Sequence, residues 1–354
     1  MKKETENTEL YHEADKEGLR TFLQQPSEEA GKTNGQQLGL SLRDMKNWET
    51  GEAWVKKIKG LVWNNEFSKR LIEIEWTREN IAGNLDARKW IALTNLDCSG
   101  NQLTHLDVSK NTALTDLDCS YNELIELNTH GCTELTDLQC NENQLTTLDL
   151  NTNINLKYLH CSRNQLIEIK INKNKKLYHL NCTDNQLTEL NVSKNKRLDY
   201  LCCLENQLTA LDTSANTKLR YLNCNYNQLT VLDVTQNKAL EILDCCDNSL
   251  TILDVTQNTA LEELDCDNNS LSTLDVTQNT ALEQLICSTN SLTALEVNKN
   301  KKLKYLYCQH NQLTVLDVSQ NTVLEVLDCF DNQLTTIPIG AKKSIIDWRE
   351  SRFL

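Results

Sequence analysis

A cysteine recurs every 21 residues through most of this 354-residue chain. Cys98, Cys119, Cys140, Cys161, Cys182, Cys203, Cys224, Cys245, Cys266, Cys287, Cys308 and Cys329 follow one another without a slip. Apolar residues travel with them as L-x-x-L-x-C-x-x-N-x-L-x-x-L-D-V-x-x-N, clearest in "LEELDCDNNSLSTLDVTQNTA". Such a fixed period overrides length as a guide to organisation, because it means one small unit stacked on copies of itself. Each unit is in turn two similar half-turns, since Leu271, Leu274, Val276 and Asn279 repeat the spacing of Leu261, Leu264, Cys266 and Asn269. Segments of that length are too short for a good helix, so both halves favour extended chain with corners at Asn. No glycine lies between Cys132 and Ile339. Asn, Thr and Lys must therefore make the corners there, and Asn tolerates the left-handed conformation best. The expectation is a thin, β-rich solenoid with a parallel sheet on one face and short extended segments on the other.

Stacking puts equivalent positions about 4.8 Å apart, the spacing of neighbouring strands. The cysteine column then points inward beside the leucines. In-register side chains on parallel strands run side by side rather than toward each other, which disfavours disulfides. A single straight column also offers no tetrahedral cage for zinc. The ladder is expected to be core, with each thiol acting as a small hydrophobe. Two asparagine columns share the period, one from Asn101 to Asn332 and one from Asn111 to Asn321, the latter broken once by Cys132. Both read as architecture that ties the backbone of adjacent turns together. Cys202 and Cys246 stand next to ladder cysteines, so alternation turns them outward as exposed thiols, an arrangement that favours a reducing compartment.

The first half of the unit is the leucine-rich-repeat signature with Cys in the third Leu position. The stretches "LTHLDVSKNTALTDLDCSYNEL" and "LTVLDVSQNTVLEVLDCFDNQL" carry a resemblance to the leucine-rich repeats of bacterial surface proteins. More narrowly, they resemble the cysteine-ladder (internalin J-like) subclass of the internalin family. The resemblance covers twelve units from about Leu93 to Ile339. It implies a leucine-rich-repeat solenoid, a β-rich curved right-handed coil with the parallel sheet on its concave face and an α/β N-terminal cap. It also implies an extracellular binding or adhesion role toward a protein or glycan. No signal sequence, wall-anchoring tail or trailing immunoglobulin-like domain is legible, so a cytoplasmic location stays open as the alternative.

Three segments are expected: an N-terminal cap over 1–92, twelve repeats over 93–339 and a C-terminal cap over 340–354. Five of the six tryptophans (Trp48, Trp54, Trp63, Trp76, Trp90) fall in the first segment and none in the repeats. They suit the cover of an exposed solenoid end better than a sugar platform. A helix is expected from near Asp15, with Leu19, Phe22 and Leu23 on one face. "PSEEAGKTNGQQLG" reads as a polar loop and "WETGEAWVKKIKGLVWNN" as a short helix and a strand. "RLIEIEWTRENIAG" reads as a strand that traces a degenerate first repeat through Leu71, Ile74, Trp76 and Asn80. At the far end, Ile345, Ile346 and Trp348 are placed to close the last turn.

Binding in repeat proteins resides in the variable positions of the sheet face. Rings gather there at Tyr158, His160, His179, Tyr200 and Tyr221, with Arg163 and Tyr226 at strand exits. Tyr158, His179, Tyr200 and Tyr221 share one column. Acidic residues follow at Asp244, Asp247, Glu263, Asp265 and Asp267, and rings return at Tyr305, Tyr307 and His310. The candidate ligand surface is therefore Tyr158, His160, Arg163, His179, Tyr200, Tyr221, Tyr226, Asp244, Glu263, Asp265, Tyr305 and Tyr307. Cross-strand aromatics that merely stabilise a sheet are the competing reading.

A net charge of −14 argues against a nucleic-acid partner, which calls for a basic stripe. No apolar run is long enough to span a membrane. No catalytic motif, metal set or cofactor site is legible, and the Asp of each L-D-V reads as a solvated face rather than a calcium site. The chain reads as a non-catalytic monomer that binds a protein or glycan ligand at a cell surface or after export. The alternative is an intracellular protein-interaction scaffold or exported effector, and a purely structural spacer is a third reading.

Overall fold

The computed structural model describes residues 10–48, 51–336, 338–340 and 346–347. Two compact units divide the chain, Met1–Lys176 and Leu177–Leu354. In the first, the edge strand Leu61–Trp63 runs antiparallel to Leu71–Glu75. Parallel strands then follow at Asn95–Asp97, Asp116–Asp118, Asp137–Gln139 and Tyr158–His160, each paired residue for residue with its neighbours. The second unit continues the pattern by itself, from His179–Asn181 through Val326–Asp328 to Ile346–Asp347. The constant register follows from the period: a slip of one residue would turn every buried leucine outward.

Repetition buries the same positions in every turn. In the second unit Leu261, Leu264, Cys266, Leu271 and Val276 are all wholly inaccessible. All fifteen cysteines are buried thiols outside any disulfide. Several ladder thiols also lie near the backbone of the following turn, as with Cys119 Sγ to the Gln139 carbonyl (3.5 Å) and Cys203 Sγ to the Asn223 carbonyl (3.5 Å). That contact gives a physical reason for Cys over Leu: the side chain is small and apolar, yet it still makes a weak S–H donor bond.

The asparagine columns do what their period requires. Asn227 Nδ2 donates to the carbonyls of Cys203, Cys224 and Asn225, and its Oδ1 accepts from Leu208 N–H (3.0 Å). In the other column Asn279 donates to the Val255 and Asn258 carbonyls. Cys132 replaces one of these asparagines, and its thiol reaches the equivalent carbonyl, Val108 O, at 3.3 Å. The corners differ from expectation. The left-handed residue is the one before the ladder Asn: Glu142, Arg163, Glu205, Tyr226, Asp247 and Thr289 all have φ between 50° and 55°. The Asn side chain clamps the corner and its neighbour absorbs the turn, so nearly any residue type is held left-handed there.

Among the described residues, the second half-turns pair as strands in the first unit, at Ala82–Asp86, Gln102–Asp107 and Leu127–Asn128, and in the second as an isolated parallel bridge between Asp317 and Ile339. The N-terminal helix Glu13–Leu23 buries Leu19, Phe22 and Leu23 as expected. Phe22 stacks on Trp76 (5.4 Å) and Trp76 meets Trp90 edge-on (6.1 Å). Gly18 permits that approach, since a Cβ there would lie 2.7 Å from Trp90 Nε1. Trp48, Trp54, Trp76 and Trp90 are buried, so they present no sugar platform. Trp76 follows the strand that pairs in register with the first ladder strand, and its carbonyl accepts from Asn101 Nδ2 (2.7 Å).

Two short helices depart from the sequence reading. The presumed polar loop "PSEEAGKTNGQQLG" contains Asn34–Gln37, held by a reciprocal capping box between Thr33 and Gln36. Leu42–Asn47 is capped the same way by Ser41 and Asp44. At the other end Ile346 is on a strand, whereas Ile345 and Trp348 lie outside the described residues.

Candidate functional site

The outward residues of each three-residue strand are the one before and the one after its buried leucine, so the sheet face consists of two columns per unit. In the first unit the columns are dominated by carboxylates. Glu73, Glu75, Asp97, Asp116, Asp118 and Asp137 surround an open pocket of about 270 Å³ floored by Ile74, Leu96 and Leu117. Burial, followed by the charges of Asp116 and Asp118, raises the Asp137 carboxyl to about 6. Burial also raises Asp118. The candidate residues of this unit lie beyond that pocket. His160 is half-buried with Nε2 2.7 Å from Ser162 Oγ, and desolvation lowers its pKa against the pull of Asp118. Tyr158 shares its strand. Arg163 stands at the left-handed corner, ion-paired with Glu142.

In the second unit His179, Tyr200 and Tyr221 stack ring on ring. Centroids are 4.1 and 4.4 Å apart and planes within 9° and 3°. Register fixes this arrangement, because the three residues are direct Cα partners on adjacent strands. Tyr221 leads into a polar cluster: Asn223 Nδ2 donates to Asp244 Oδ2 (3.1 Å), and Tyr221 OH lies 3.5 Å from the same oxygen. Burial raises Asp244, and it raises Asp265 to about 6 against a backbone bond from Asp267. Glu263 is exposed in the ring column. Tyr226 is 52% exposed at its corner. Tyr305 and Tyr307 share one strand four turns beyond Tyr221, where Tyr305 OH bonds Glu325 (3.1 Å). The stack therefore offers ring edges and hydroxyls to a ligand, while its faces are occupied by one another.

Two sequence expectations are corrected here. Cys202 and Cys246 are 6% and 7% exposed rather than outward-facing thiols. Alternation does turn Cys202 toward the sheet face, but Thr183 Oγ1 sits 3.1 Å from its sulfur and the larger Tyr200 and Tyr221 rings rise beside it. Cys246 backs onto the corner, with its N–H bound to Asn225 Oδ1 (2.6 Å). Burial pushes the ladder thiols up, Cys140 to about 12, so they remain protonated and poorly nucleophilic. The argument from exposed thiols for a reducing compartment therefore falls away. The carboxylates around the pocket of the first unit occupy the same two columns as the rings, and their recurrence beside each buried leucine is the sequence signal that marks them.

The raised carboxyls set a pH dependence. A folded pKa near 6 above an unfolded value near 3.9 means that the native state binds more protons in that window. The contribution of Asp137 and Asp265 to stability is full below the unfolded pKa and is lost as pH rises through about 6. Melting temperature should therefore be higher at pH 5 than at pH 7 by a margin that shrinks in the Asp137→Asn/Asp265→Asn variant. An unchanged margin would contradict the assignment.

No family model and no curated protein matches the chain. Solved structures do. The functional domain of InlJ from Listeria monocytogenes, which includes a cysteine ladder, is 40% identical with a TM-score of 0.69. The match covers 70% of this chain and 56% of that one, so the chain spans little more than half of that domain's length. A leucine-rich-repeat protein of Leptospira interrogans is 31% identical with a TM-score of 0.64, covering 70% of this chain and 69% of that one.

The chain belongs to the leucine-rich-repeat proteins. Its buried cysteines at 21-residue spacing make it an internalin-like, cysteine-ladder member. The internalin InlF of Listeria monocytogenes shares the fold at 21% identity and a TM-score of 0.67, covering 80% of this chain and 87% of that one. Among the described residues no helix is long and apolar enough to cross a membrane.

Proposed function

We propose that this leucine-rich-repeat protein is a non-catalytic interaction module of the bacterial cell surface or of an exported protein, binding a protein or glycan through its sheet face. One observation carries the reading. The inward positions repeat Leu, Cys and Asn with Val or Ile in one column, whereas the outward columns vary from turn to turn and gather a ring stack and crowded carboxylates. Variable outward residues gathered on the sheet face of a repeat with a uniform interior support recognition rather than packing. Buried, protonated thiols are compatible with an oxidising exterior. Residues 1–92 serve in this reading as the cap of the first turn and 340–354 as that of the last, with 93–339 as the repeats, and the protein acts as a monomer.

Tyr200→Ser/Tyr221→Ser is the discriminating variant for the ligand surface. It removes a stack of about 0.5–1.5 kcal/mol per ring pair beyond its buried area, so the melting temperature should drop by only a few degrees. Binding to whatever emerges from glycan-array and host-protein screens should be lost. Undiminished affinity would move the site elsewhere on the face. Protease shaving of intact producing cells tests location: loss of the repeat-array epitope with cytoplasmic controls intact supports the surface role. Protection until lysis favours the intracellular scaffold.

A further inference from the structure

The half-turns outside the sheet in the second unit carry a second surface. Glu189 occupies the position between the two buried leucines of its half-turn, but in the six turns that follow this position holds Ala210, Val231, Ile252, Thr273, Ala294 and Val315. Val231, Ile252 and Val315 are 69%, 72% and 62% exposed. The core beneath them is already filled by the leucines on either side, such as Leu229 and Leu232, at 0% and 3%. Packing therefore gives no reason for aliphatic residues here. Val231 and Ile252 stand in adjacent turns, with Val315 three turns further on past Thr273 and Ala294; neighbouring exposed aliphatics of this kind mark an interaction surface.

A file of carboxylates runs beside the strip: Asp212, Asp233, Asp254, Asp275, Glu296 and Asp317. Asp233 Oδ1 accepts from Thr235 N–H (2.9 Å) and Oγ1 (2.7 Å), and Asp254 is held in the same way by Thr256. Such bonds lower the carboxyls of Asp212, Asp233, Asp275 and Asp317, so these four are ionised at neutral pH. The cations in the ion pairs of this unit go elsewhere, Arg220 to Glu241 and Lys304 to Glu283. Among the described residues, the file has no cation of its own. It repeats at about the strand spacing over six turns, a run of roughly 24 Å.

We infer that this strip is a docking surface for a second partner, a protein segment that sets Lys or Arg beside Val, Ile or Leu. The aliphatic strip supplies buried area, and the uncompensated carboxylates select a basic flank and reject an acidic one. This surface is separate from the ring stack, so the two can be tested independently.

The experiment uses the full chain and a fluorescent synthetic peptide of about 20 residues alternating Val or Ile with Lys. Saturable binding that weakens with salt is expected, at least tenfold tighter than to a Lys/Ser peptide of equal charge. Val231→Glu/Ile252→Glu should lose at least tenfold in affinity. Both positions are mostly exposed, so melting should stay close to that of the parent. Asp233→Asn/Asp254→Asn keeps the acceptor oxygens and should flatten the salt dependence. Tyr200→Ser/Tyr221→Ser should bind as the parent does. Equal affinity for the two peptides, or for the parent and the Glu variant, would overturn the inference. Loss of binding in the Tyr variant would also do so, as would a parent dimer that the Glu variant dissolves, because the occupant would then be a second copy.

Discussion

Asn227→Ala should destabilise the second unit by about 3–5 kcal/mol, one of the larger losses expected of any single substitution. The half-buried residue holds three carbonyls and one amide of two adjacent turns. Alanine leaves the Leu208 N–H and the Cys203 carbonyl buried without that partner, and each orphaned group costs about 1–3 kcal/mol. The damage falls at an interior interface, where stability is the sum of neighbouring contacts. Urea unfolding should show a lower midpoint, and the melting temperature should fall by roughly 10 °C. Asn227→Asp should fare little better, since a carboxylate accepts from Leu208 but donates to nothing. A loss below about 1 kcal/mol would mean that the backbone closes the gap without the side chain.

In the first unit the comparable site is Asp15, which is wholly buried. Its carboxylate takes both arms of Arg70 (2.9 and 2.7 Å) and the Leu71 N–H (2.9 Å), while its carbonyl receives Trp90 Nε1 (3.1 Å). It thus ties the N-terminal helix to the strand Leu71–Glu75 and to Trp90. Removing one partner of such a pair strands a desolvated charge, so Asp15→Ala should cost about 3–5 kcal/mol. Asp15→Asn keeps an acceptor for Leu71 and should cost less. Asp15→Ala/Arg70→Met removes the stranded guanidinium and should recover part of the loss, which a double-mutant cycle measures. No recovery would show that the hydrogen bond to Leu71, rather than the charge, holds the helix in place.

Much of this was legible in the residues. The 21-residue period set the register, the inward leucines and cysteines and the two asparagine ladders, because stacking identical turns leaves each position one environment. The strand at Leu71–Glu75 and the helix face of Leu19, Phe22 and Leu23 could likewise be read from local pattern. Short capped helices were missed because a capping box such as Thr33–Gln36 leaves no hydrophobic period to detect in four residues.

What the tertiary structure alone decided depends on what stands across from each residue in the next turn. Alternation placed Cys202 outward, but the neighbouring Thr183 and the rings beside it bury it. A column of aromatics could have offered its faces to a ligand; the 4.1 and 4.4 Å separations show the faces spent on one another. Asparagine looked like the left-handed residue, yet three carbonyls brought within reach of its amide make it the clamp and give the turn to its neighbour. Sequence determined which column each side chain joins, because that depends on position within a period. The environment inside the column was decided by the strand spacing, which brings residues 21 apart in the chain to van der Waals distance.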